Sequence, residues 1–156
     1  MTDVARRDAP RPLRRFEERL SGSLLDVYLL SLRCVLPSAV AHMEMPSLLA
    51  YLGRSRRRLR VPLARASRAA DRSEQWARHM RLRDTCLFRA LVRWTALRHA
   101  GVHAEIVLGV ARSDIDRGHA WVEVSGEVVN ERPDPDLLET FRFPPRARPT
   151  VEVGER

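Results

Sequence analysis

Apolar residues recur every three to four positions through the first half of the chain and every second position through much of the remainder. The pattern therefore predicts helices first and strands later. Leu13, Phe16 and Leu20 stand at helical spacing before Ser21-Gly22-Ser23 punctuates the run, and Leu24 to Val35 is strongly apolar up to Pro37. That second run carries Asp26 and Arg33 and is only about a dozen residues long, too short to span a bilayer. It reads as a buried helix or as a hydrophobic face offered to a partner. Pro46, then Ser47 to Leu52, then Gly53 reads as a short helix with proline in its first turn and glycine past its end. Val61 to Met80 resumes the helical period, with an interruption expected near Asp71-Arg72-Ser73.

From Asp84 the pattern sharpens. Asp84 or Thr85 can cap a helix whose apolar positions Leu87, Ala90, Leu91, Trp94 and Leu97 keep the 3.6-residue period, and Gly101 ends it. Val102 to Val110 reads as a strand, Asp114, Asp116 and Gly118 as a loop, and His119 to Val124 alternates cleanly. Ser125-Gly126 is a two-residue hairpin signal leading into Glu127 to Glu131. Five prolines from Pro133 onward predict a tail that wraps the surface, anchored by Leu137, Leu138, Phe141 and Phe143. The expected fold class is α+β: a helical N-terminal region over residues 1–60, then a core over residues 61–156 built from helices and an antiparallel sheet, the whole forming one compact domain.

Composition narrows the function classes. An apolar fraction of 44% with 31% charged residues in 156 fits a globular chain able to bury a core without disulfides. The first fifteen residues are polar, rich in arginine and broken by Pro10 and Pro12, so no secretory signal is expected. A cytoplasmic location with reduced thiols follows, leaving Cys34 and Cys86 unpaired. All 28 basic residues are arginine, for a net charge of +8. The densest cluster, Arg54 to Arg60, lacks interleaved aromatics and any nucleic-acid-binding signature, so it reads as a solvated face or a dock for an acidic peptide or protein, and no nucleic acid is expected. No P-loop or dinucleotide fingerprint occurs. His42, His79, His99 and His103 share no metal-ligand spacing with a cysteine, so neither metal nor cofactor is expected.

Three residues carry candidate chemistry. Cys86 falls in the first turn of its helix, where unsatisfied N–H groups and the helix dipole favour a thiolate, and its own N–H is placed to donate to an oxyanion. Cys34, inside an apolar helical run, reads as a small buried hydrophobe. His119 shares a strand face with Trp121 and Glu123, opposite Ala120, Val122 and Val124. In a two-residue hairpin Val124 opposes Glu127, which puts Asn130 opposite Trp121 and Glu131 opposite Ala120, so either can orient His119. Cysteine, histidine and acid in this order are the parts of a thiol hydrolase or acyltransferase.

Cys86-Leu87-Phe88-Arg89-Ala90-Leu91, the Gly101 to Val110 strand with Leu108-Gly109-Val110, and His119-Ala120-Trp121-Val122-Glu123-Val124 with its hairpin to Glu131 resemble the leader peptidases of lasso-peptide biosynthesis. These are a branch of the transglutaminase-like, papain-related cysteine hydrolases. The resemblance implies a transglutaminase-like core with Cys86 as nucleophile, His119 as base and Glu131 as third member. The family commonly has aspartate at that last position, which leaves Asn130 and Asp134 as rivals. Trp121 and Thr85 are the candidate substrate- and oxyanion-binding residues, whereas Gln75 lies outside the match. The implied reaction removes the leader from a ribosomally made precursor and exposes the amine that a partner lasso cyclase then uses. With a helical stretch and no run of strands before Asp84, the chain resembles the separate peptidase subunit, whose leader recognition is supplied by a companion protein. The alternatives are another acyl-transfer enzyme of the same fold, or a non-catalytic module binding through Arg54 to Arg60 and the Leu24 to Val35 helix.

Overall fold

The computed structural model describes residues 11–53, 61–131 and 134–145, with side chains from residue 22 onward; the Arg54 to Arg60 cluster lies outside the described residues. Helix α1 (Arg11–His42) runs unbroken for 32 residues, through both expected interruptions. Gly22 lies where a Cβ would meet the Arg65 side chain at 2.2 Å, so its role is close approach to the next long helix rather than a break. Pro37 removes one helical hydrogen bond, but Leu36 beside it is fully buried and holds that turn in register.

This continuity corrects the reading of a short apolar run. Gly22–His42 is a 21-residue stretch long and apolar enough, by length and composition, to cross a membrane. In this fold one of its faces is packed: Leu25, Leu29 and Leu36 are fully buried, and Arg33 reaches Ser73 and Asp84. The opposite face exposes Leu24, Val27 and Val35. Cys34 is also exposed there, so it is not the buried hydrophobe expected.

Helix α2 (Met45–Gly53) tucks Leu48, Leu49 and Leu52 into the core. Helix α3 (Leu63–His79) is continuous across Asp71-Arg72-Ser73 because each of those polar side chains finds a tertiary partner. Asp71 pairs with Arg93, Arg72 with Asp26, and Ser73 with Arg33. Its buried face is made of small residues, Ala66, Ala69, Ala70, Ser73 and Ala77, which lets neighbouring helices approach. Helix α4 (Cys86–His99) is the hub, touching α1, α3 and the first two strands. Leu91, Val92, Trp94 and Thr95 are fully buried in it. It ends where the sequence predicts, with Gly101 at φ +80°.

Strands β1 (Ala104–Ala111), β2 (Gly118–Val124), β3 (Glu127–Val128) and β4 (Leu137–Phe143) form one antiparallel sheet in the order β3-β2-β1-β4. The α+β class is as expected. The turn between β2 and β3 has Ser125 at φ +54° and Gly126 at φ +86°, the left-handed pair a tight hairpin requires, and Val124 does oppose Glu127. Two features differ from expectation. The second hairpin strand stops at Val128 rather than Glu131. The proline-rich tail is a strand on the other edge, with Phe141 and Phe143 against the core instead of draped over the surface.

Ala120, Val122 and Val124 belong to the core together with α4, Ala104, Ile106 and Leu108. Strand alternation therefore turns His119, Trp121 and Glu123 to the sheet's other face. Arg33 of α1 donates to Ser73 of α3 at 3.0 Å and pairs with Asp84, joining two helices to the segment that leads into α4. The Arg33 side chain is 1% exposed, so removing its carboxylate partner leaves a charge buried without compensation. Asp84→Ala is expected to destabilise the fold by about 3 kcal/mol, read as a lower urea midpoint at unchanged slope. An unchanged midpoint would show that the pair contributes nothing.

Candidate active site

Thr85 precedes α4 in extended conformation, and its hydroxyl accepts from the Phe88 N–H at 3.3 Å while its carbonyl accepts from Arg89 at 3.0 Å. This is ordinary N-capping, and it satisfies only part of the first turn. The N–H groups of Cys86 and Leu87 have no hydrogen-bond acceptor among the described residues. They are free donors beside the thiol, which is half-buried at the very start of the helix. Thr85 itself serves as the cap and does not line the cleft described below.

His119 Nε2 lies 3.0 Å from Glu131 Oε2. Of the three candidate orienting groups, Glu131 is the one that reaches the imidazole. Asn130 turns toward Arg93, and Asp134 lies 3.7 Å from Arg117. Glu131 does not arrive by pairing opposite Ala120. After Val129 donates to the Val122 carbonyl, Asn130 adopts φ +66° and the chain swings back toward His119.

The other side of the imidazole is held by Trp121, stacked at 6.1 Å between centroids and 15° between planes. The Trp121 ring lies across β1 at Gly109, where a Cβ would meet the ring at 2.9 Å and the Leu138 carbonyl at 2.6 Å. Only glycine leaves room there. The indole N–H donates to Glu123 at 2.9 Å, so it is committed within the protein and what Trp121 presents to the cleft is its ring. Glu123 accepts from Arg142 at 2.8 Å, and Arg142 also binds Glu105 and Glu139. Its guanidinium pKa is raised above the usual arginine value, chiefly by the hydrogen bond to Glu139 and then by Glu123, against the opposing effect of burial. Gly109 stands in the Leu108-Gly109-Val110 block of the sequence without a role of its own, and neither Arg142 nor Arg93 is picked out by the reading of the sequence. Arg93 does carry a signal, an arginine two helical turns after Cys86 on a helix that is otherwise buried there.

Cys86 and His119 line one shallow, solvent-open cleft. Because the cleft is lined both by Ala120 and Val122 from the core face and by His119 and Trp121 from the other, it lies along the β2 edge of the sheet. Glu74, Arg89, Arg93, Asn130 and Glu131 complete most of its wall. Among the described residues no hydrogen bond joins the thiol to the imidazole in this resting arrangement. With Nε2 engaged by Glu131, Nδ1 is the ring nitrogen left to take a proton.

A half-buried cysteine with free amides at a helix start thus borders one cleft with a histidine clamped by an acid and an indole. Neither a curated protein nor a solved structure matches the chain. The transglutaminase-like superfamily matches residues 28–143, from within α1 to the last residue of β4. The chain belongs to the transglutaminase-like superfamily.

Proposed function

We propose that this protein is a cysteine peptidase that removes the leader from a ribosomally made lasso-peptide precursor. The observation that carries this reading is the shared cleft, in which Cys86 stands at a helix N-terminus opposite a His119 whose Nε2 is bound to Glu131. Membership of a superfamily whose enzymes are usually cysteine-dependent supports it.

His119 Nδ1 takes the Cys86 proton, and Sγ attacks the scissile carbonyl carbon. The oxyanion forms within reach of the Cys86 and Leu87 N–H groups. As the C–N bond breaks, the proton on Nδ1 passes to the leaving amine, which is the new N-terminus of the core peptide. Water then attacks the thioester, giving its proton to Nδ1, and the thiol is regenerated. Glu131 accepts from Nε2–H and so keeps that tautomer, which makes Nδ1 the working nitrogen. In this reading the reaction takes place in the cytoplasm, a reducing compartment in which Cys34 and Cys86 stay unpaired. Leader recognition is assigned to a separate companion protein and use of the released amine to a partner cyclase.

A second reading is acyl transfer to an amine, which the superfamily match and the solvent-open cleft favour equally. The two part at the thioester: water gives a free leader carboxylate, an amine gives an amide of higher mass.

Mass spectrometry of a precursor peptide with its recognition protein should show a single leader-sized cut with the wild-type chain and none with a folded Cys86→Ala variant. Cleavage surviving in that variant would remove Cys86 from the chemistry, and amine adducts in place of free acid would select the transferase. Glu131→Ala should lower kcat about 100-fold with KM little changed, in the range that orienting a general base supplies, and Glu131→Gln less. Equal kcat in wild type and Glu131→Ala would end the third-member assignment. Omitting the recognition protein should slow cleavage at low precursor concentration. Full-rate cleavage by the isolated chain would show that recognition resides in this subunit.

A further inference from the structure

The Arg93 guanidinium is nearly buried, its side chain 9% exposed, and Nη2 binds Asp71 at 2.9 Å and Glu74 at 2.7 Å, both on α3. Taken alone this is an ion pair tying two helices. Its third partner is different in kind. Arginine nitrogens only donate, so chemistry assigns the Asn130 carboxamide oxygen to Arg93, where it accepts from Nη2 at 3.2 Å and from Nη1; the same amide end lies 3.5 Å from Asp71 Oδ1.

Asn130 stands on the turn that delivers Glu131. After the Val129 to Val122 hydrogen bond, neither Asn130 nor Glu131 makes a backbone hydrogen bond among the described residues. Asn130 is exposed and held at φ +66°, a conformation most side chains avoid. Among the described residues this turn is located by side-chain contacts of Asn130 with the Arg93–Asp71 pair and of Glu131 with His119. If the Asn130 contact is removed, the contact of Glu131 that remains among the described residues is the imidazole itself.

We propose that Arg93 is a positioning residue which, through Asn130, docks the Glu131-bearing turn onto the helix that carries Cys86 and so sets the base relative to the nucleophile. Seven residues separate Cys86 from Arg93, which puts them on one face of α4 about 10 Å apart along its axis. The nucleophile and the anchor of the acid therefore move as one rigid element. The proposal rests on His119 acting on Cys86, as above, but not on the identity of the substrate.

Its test is therefore alkylation of Cys86 by iodoacetamide near neutral pH, which needs no peptide. It is read by peptide mass mapping because Cys34 is also exposed. His119→Ala sets the rate without a base. Asn130→Gly keeps a left-handed backbone and deletes only the amide, and it should slow Cys86 alkylation about tenfold, toward the His119→Ala rate. Arg93→Gln should do the same, and Asn130→Asp, which retains an acceptor for Arg93, should restore the rate to within about threefold of wild type. Because Arg93→Gln strands Asp71 and Glu74 and could unfold, the exposed Asn130→Gly variant is the deciding one, with its thermal midpoint measured alongside. On the precursor, Asn130→Gly should lower kcat and leave KM unchanged. Wild-type alkylation in folded Asn130→Gly overturns the proposal, as does a His119→Ala rate equal to wild type. Fast alkylation that depends on His119 and Asn130, without cleavage of the precursor, upholds the positioning and overturns the peptidase reading.

Discussion

The constraint on which the site depends is that one sheet is used on both faces. Its inner face, with Ala120, Val122 and Ile106, is committed to α4, and α4 carries Cys86. Alternation then sends His119 to the outer face, one residue from the core position it follows. A base on one face and a thiol under the other can share a site only at an edge. That edge is available because β3 is two residues long and leaves the first half of β2 unpaired on that side. A hairpin extended to Glu131 would have covered the gap. The early end of β3 and the left-handed turn at Asn130 are thus parts of the cleft, not imperfections of the sheet.

The parts legible in the sequence are those whose cause is local. Thr85 at the cap, the apolar period of α4 and the Ser125-Gly126 pair each act within a few residues, and each predicts the element found. The register Val124 to Glu127 also follows from the turn alone. What escaped depends on distant partners. Gly22 reads as a break until Arg65 is brought against it, and Asp71-Arg72-Ser73 reads as a loop until Arg93, Asp26 and Arg33 satisfy it. The strand β4 is bracketed by prolines and is read as a strand only once β1 lies beside it. Hairpin register alone puts Glu131 opposite Ala120, whereas its contact with His119 is made by a turn outside the ladder.

Strand β4 matters to the site because it brings Arg142. Glu105, Glu123 and Glu139 surround a single guanidinium whose side chain is 9% exposed, as are Glu105 and Glu123 to within a few per cent. Apolar residues of similar volume in those places would commonly make a fold as stable or more so, since burying charges costs much of what their attraction returns. Stability is therefore a poor account of the cluster, and direction is a better one. Glu123 is the acceptor for the Trp121 N–H, and without a fixed acceptor the indole could rotate off Gly109 and away from His119. Arg142 holds Glu123 in turn, with hydrogen bonds whose geometry is set by the planar guanidinium. The imidazole is consequently clamped by two chains of contact that begin on different elements, one at Arg142 on β4 and one at Arg93 on α4. Each ends on a different part of the ring, the indole on its face and the carboxylate on Nε2, and Nδ1 makes no hydrogen bond among the described residues.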